Sequence, residues 1–114
     1  MTVNNYSFGK ININGKVYTH DVIIMPDSIK SNWWRNSSHL LILEDIPELI
    51  NNRPDILIIG TGSYGLMKVE KEIIGYCKNN NIKLIIENTS TTIKKFNSLS
   101  QSNNKVIAAL HLTC

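Results

Sequence analysis

The stretch Ile56-Leu57-Ile58-Ile59-Gly60-Thr61-Gly62-Ser63-Tyr64-Gly65 decides how this chain is read. An unbroken aliphatic run lacks the alternation of a half-exposed strand and fits a strand buried on both faces. The glycine-rich turn after it is followed by Leu66, Val69, Ile73, Tyr76 and Cys77. Their helical spacing predicts an amphipathic helix over Leu66 to Lys78, closed by Asn79 to Asn81.

Downstream, Ile82 to Ile86 reads as a second buried strand. Asn88 to Thr92 offer helix caps, and Ile93, Phe96 and Leu99 mark a second helix. Val106 to Leu112 is a third apolar strand. The order β-α-β-α-β with short connections predicts an α/β fold with a parallel three-stranded core and right-handed crossovers.

Upstream, the pattern is a β-hairpin portion. Tyr6 and Phe8 alternate, Ile11 and Ile13 alternate on the opposite parity, and Gly9 between them is where a bulge absorbs the slip. Asn14-Gly15 is a type I′ turn signal. Val17 to Met25 returns as a strand ended by Pro26-Asp27, so a hairpin portion is expected to precede a parallel core that is extended into a mixed sheet. Ser28 to Asn36 is a connection, His39 to Leu43 a short strand, and Glu44 to Asn52 a short helix with Pro47 in its first turn.

The chain has 114 residues, 42% hydrophobic and 18% charged, with a formal net charge of +3. That composition excludes wholesale disorder, and the length predicts one domain spanning residues 1–114. Residues 1–53 are neutral overall, and the surplus Lys downstream is interleaved with Glu70, Glu72 and Glu87, as on a solvated helix face. Arg35 and Arg53 are the only arginines, so no nucleic-acid partner is expected. No apolar run reaches the ~20 residues of a membrane span, so no membrane insertion is expected. Met1 to Asn5 carry neither a secretory apolar region nor an Arg-rich transit pattern, and Cys77 and Cys114 fit a reducing compartment. The expected location is cytoplasmic.

Two motifs are candidates for function. Gly60, Gly62 and Gly65 form G-x-G-x-x-G after a strand and before the expected helix, and Glu87 ends the next strand. A dinucleotide, a smaller anion at a helix N-terminus, and a purely structural tight turn all use such glycines. Gly60 and Gly62 are expected at the C-terminal end of the central parallel strand, facing a cleft. The second motif is Trp33-Trp34-Arg35, whose alternation points one indole inward and the other toward solvent. It is either a loop packed on the sheet or a partner-binding patch. At least one Trp is expected to be buried, with Arg35 at the rim. His20, His39 and His111 are scattered, so no metal and no cofactor are expected. A Cys/His pair has no visible orienting acid, and no catalytic residues are expected.

These motifs together resemble the Mth-nine-three-eight-like domain family, a domain of unknown function. The family includes the adipogenesis-associated Mth domain-containing protein and mitochondrial complex I assembly factor three. The resemblance rests on Tyr6-x-Phe8-Gly9, Gly15-Lys16-x-Tyr18-x-x-Asp21-Val22 and Ile29-x-x-x-Trp33-Trp34-Arg35. It continues through Ile58-Ile59-Gly60-Thr61-Gly62, Asn88-Thr89-x-x-Thr92-x-x-x-Phe96-Asn97-x-Leu99 and Val106-x-Ala108-Ala109-Leu110-His111-Leu112-Thr113-Cys114. Thr92 stands where the family pattern has Ala. The resemblance implies an Mth-like α/β sandwich with a β-rich N-terminal portion, and no established catalytic activity. It makes Gly60, Thr61, Gly62, Ser63 and Thr89 a candidate ligand surface, with Trp33, Trp34 and Arg35 as the candidate partner surface. A bacterial, non-enzymatic interaction or assembly module is the leading expectation. A small-ligand or anion-binding protein using the Gly-Thr-Gly loop is the alternative. The partner, an unknown protein or a second copy of the chain, is left open.

Overall fold

A computed structural model describes residues 1–114. The N-terminal portion is a three-stranded antiparallel meander of β1 (Val3–Ser7), β2 (Lys10–Ile13) and β3 (Lys16–Tyr18). Asn14 and Gly15 between the last two have φ of 52° and 86°, as the expected turn requires. Gly9 forms the β1–β2 turn with φ 74°, not a bulge within one strand; the register slip falls between Val3 and Asn5. The expected strand from Val17 to Met25 is split. The chain leaves the meander after Tyr18 and enters a second sheet at β4 (Val22–Ile24), followed by β5 (Ile29–Lys30).

That second sheet is mixed. It contains β7 (Ile56–Thr61), β9 (Lys83–Glu87) and β10 (Val106–His111) in the order β5-β4-β10-β7-β9. The pairs β10–β7 and β7–β9 are parallel, and β4 is antiparallel to β10. Every residue of β7 and β10 is buried, the physical basis of their unbroken apolar sequence. Between them come α2 (Lys71–Asn79) and α3 (Thr89–Leu99), completing the expected β-α-β-α-β order.

Successive side chains of these strands enter opposite cores. Leu57, Ile59, Ile107 and Ala109 pack with Trp33, Leu49, Ile73 and Cys77 on one face. Ile56, Ile58, Ala108 and Leu110 pack with Ile11, Ile13 and Phe96 on the other. The meander and α3 therefore cover one face, while α2, a short helix α1 (Pro47–Asn52) and the Trp33 segment cover the second. A single 3-10 turn at Leu43–Asp45 precedes α1, so the helix expected from Glu44 begins later, at Pro47.

The expected helix start at Leu66 is also corrected. Lys68–Val69 is a strand, β8, paired in parallel with β6 (Leu40–Leu41). The amides of Leu66, Met67, Lys68 and Glu70 donate to the carbonyls of Cys114, Thr61, His39 and Leu41. These acceptors, three of them distant in the chain, hold the segment extended, and α2 starts only at Lys71.

Candidate functional site

Gly60 and Gly62 lie at the C-terminal end of β7, the middle strand of the parallel three. The helix that meets them is α3. Asn88 caps it, its side chain accepting from the Thr91 amide at 2.9 Å. The Thr89 hydroxyl accepts from the Gly62 amide at 3.0 Å and donates to the His111 carbonyl at 2.6 Å, while the Thr89 amide donates to the Gly62 carbonyl. Thr61 donates its hydroxyl to the Glu87 carbonyl at 3.0 Å. Gly60, Thr61, Gly62 and Thr89 are thus brought together in the interior, with Ser63 half-buried beside them.

No cleft opens onto this loop, contrary to expectation. The chain's own Thr113 and Cys114 cover it: Ser63 donates its amide to the Thr113 carbonyl at 2.6 Å, and Leu66 donates to Cys114 at 3.0 Å. Gly62 has φ +105°, and a Cβ there would stand 2.3 Å from the Cys114 carbonyl carbon. A Cβ on Gly60 would meet the hydroxyls of Thr89 at 2.9 Å and Thr92 at 3.1 Å. Both glycines are therefore needed for close approach of backbone and helix. Thr92, the departure from the family pattern, is fully buried and donates its hydroxyl to the Thr89 carbonyl at 2.8 Å, which satisfies it.

The Trp33-Trp34-Arg35 segment divides as alternation requires: Trp33 is buried and Trp34 is 76% exposed. Trp33 donates its indole N–H to the Asp45 carbonyl at 2.8 Å. Arg35 is not at the rim. It is buried, its guanidinium 4.7 Å from the Trp33 ring, because Asp21 and His111 draw it in. Its Nη1 donates to Asp21 Oδ2 at 2.7 Å and its Nη2 to the Ser38 carbonyl at 3.2 Å. His111 Nδ1 lies 2.8 Å from the same Asp21 oxygen, and the Leu112 amide donates to Asp21 Oδ1 at 2.7 Å.

The same His111 Nδ1 lies 3.1 Å from Arg35 Nη2, so the imidazole is held between the guanidinium and the Asp21 carboxylate. His111 Nε2 and Arg35 Nε are buried with no partner. Burial pushes the Asp21 carboxyl upward, but hydrogen bonds from His111, the Leu112 amide and Arg35 outweigh it and hold it below the usual carboxylate value. Next to this network, the Tyr6 hydroxyl donates to the Leu112 carbonyl at 2.8 Å. Burial raises the Tyr6 phenol, the Ser63 hydroxyl acts against it, and the Asp21 charge adds to the rise.

Sequence reasoning found no orienting acid for any histidine; the structure supplies Asp21 for His111. It also missed three exposed apolar side chains near the C-terminal segment. Phe8 and Tyr64 have ring centroids 6.1 Å apart, and Leu66 follows two positions after Tyr64. A cavity of about 330 Å³ between Trp34, Asp21, His20 and Thr113 lies at the same end of the sheet. No cluster of His, Cys, Asp and Glu suited to a metal ion is present.

Known structures share this fold. The chain is similar over its whole length to a conserved hypothetical protein from Pyrococcus horikoshii OT3, at 26% identity with full coverage of both chains and a TM-score of 0.87. It is similar in fold to an outer membrane protein from Bartonella henselae at 20% identity, covering 98% of this chain and 94% of that one, with a TM-score of 0.82. A Mth938-like domain from Bordetella pertussis matches at 16% identity over 97% of this chain and 85% of that one, with a TM-score of 0.62. The family model for proteins of unknown function DUF498/DUF598 matches residues 3–111, and with its Mth938-like fold the chain belongs to that family.

Proposed function

We propose that this chain is a non-enzymatic interaction or assembly module that receives a protein partner at the end of the sheet where β7 and β10 finish. Trp34 carries the reading. It is 76% exposed on a segment pinned on either side by buried Trp33 and Arg35. Trp, with Tyr and Arg, is enriched among the residues that carry most of the binding energy at protein interfaces. Thr113 links it to the rest of the patch: it lines the Trp34 cavity, approaches Gly9 beside Phe8, and accepts from Ser63 beside Tyr64. Phe8, Tyr64 and Leu66 are exposed around the same C-terminal segment, and apolar side chains grouped in this way support an interaction surface there. The free thiols Cys77 and Cys114 support a reducing, cytoplasmic setting.

The test is capture from native lysate with the wild-type chain and with a Trp34→Ser/Tyr64→Ser variant as paired baits. One protein at near-equal molar yield on wild type and depleted on the variant is the expected result. Identical capture by both baits overturns the reading.

A further inference from the structure

The five-stranded sheet ends on one side at β9, whose outer edge has no neighbour. The Lys83 amide donates to the Asp55 carbonyl at 3.0 Å, so Lys83 turns its amide toward β7. Strand periodicity gives Ile85 and Glu87 the same direction and leaves the amides and carbonyls of Leu84 and Ile86 facing outward, unpaired. Such an edge is a template for another strand. Apolar side chains accompany it: Ile86 is exposed, and Ile85 lines a groove of about 300 Å³ against Leu99 of α3. Lys83 borders that groove and has no ion-pair partner in the chain, while Glu87 pairs with Lys95 on the same face.

The sequence of this edge, Lys83-Leu84-Ile85-Ile86-Glu87, is charge-complementary to itself when reversed. We propose that β9 pairs antiparallel with β9 of a second copy, about a two-fold axis at Ile85. In that register Leu84 of each copy faces Ile86 of the other, and these are the residues whose backbone groups point outward. They exchange both hydrogen bonds. Ile85 meets Ile85 as a non-hydrogen-bonded pair with close side chains. Each Lys83 stands opposite a Glu87 on the face shared with α3, giving the unpaired ammonium a carboxylate. A two-fold contact demands this self-complementarity: whatever one copy offers, the other must accept. Shifting the register by one residue turns inward-facing amides to the partner and loses the Lys–Glu pairing, so hydrogen bonding and charge select the same alignment. This face is separate from the Trp34 surface, and either can hold without the other.

Sedimentation velocity across a concentration series to millimolar tests the inference. The wild-type chain is expected to move from 12.9 kDa to twice that mass. Ile86→Pro removes an outward amide not used within the chain, so it should leave the circular dichroism and urea midpoint unchanged while abolishing the dimer. Lys83→Glu places like charges opposite each other and should weaken association about tenfold, and Lys83→Glu/Glu87→Lys should restore it. A wild-type chain that stays at monomer mass overturns the proposal. So does a dimer that survives both Ile86→Pro and Lys83→Glu.

Discussion

Asp21 and His111 are 90 positions apart in the chain, yet Oδ2 of one lies 2.8 Å from Nδ1 of the other. Arg35 completes the cluster from a third segment, and the Leu112 amide from the end of β10 closes it. The arrangement ties the exit of the meander, the Trp segment and the last strand into one unit. It has the acid–imidazole geometry that orients a general base. The outer nitrogen of His111 is buried and unpartnered, and the cluster ties together the segments beneath Trp34.

Breaking this cluster should be costly. Asp21→Asn leaves the Arg35 guanidinium buried without its counter-charge, and removing one partner of a buried pair costs about 3 to 5 kcal/mol. Urea unfolding at neutral pH measures it. The acid limb gives a second readout. Because folding lowers the Asp21 value, its contribution is fully present above the unfolded carboxylate value of about 3.9 and is lost as pH falls through the lower folded value. The wild-type chain should lose stability steeply there, and Asp21→Asn should lose less.

Gly62→Ala combines a disallowed φ with a Cβ inside van der Waals contact of Cys114. Its cost should exceed the roughly 1 kcal/mol of an ordinary glycine substitution. Gly15→Ala, also at positive φ but with nothing within 4 Å, should cost less. Denaturant midpoints of the two variants separate steric closure from backbone strain alone.

Cys77 is buried in the α2 core, and burial pushes its thiol up to about 11. Native protein at pH 7 should therefore leave Cys77 unmodified by a thiol reagent, with full modification only after unfolding. Peptide mapping of the labelled chain reads this directly.

Where the sequence spoke clearly, local pattern and tertiary demand agreed. Ile56 to Ile59 and Val106 to Leu112 are apolar because both faces of those strands are covered, and their order is enough to give the parallel core. At Leu66 and Val69 the two diverged. Their spacing with Ile73 is helical by coincidence, since Leu66 is exposed and the backbone is held by carbonyls of Cys114, His39 and Leu41. Nothing within ten residues of Leu66 encodes those acceptors. Arg35 was misplaced for the same reason: its partners Asp21 and His111 come from opposite ends of the chain. Trp33 and Trp34, whose opposite orientations follow from neighbouring backbone geometry alone, were legible.

The most direct measurement of the central claim is iodide quenching of tryptophan emission, free and in complex with the captured partner. In the free chain only Trp34 should be accessible, so Trp34→Phe should remove the quenchable component and change stability by less than about 0.5 kcal/mol. In the complex the quenching constant should fall toward that of buried Trp33. An unchanged constant in the complex would show that the partner does not cover Trp34 and would contradict the account.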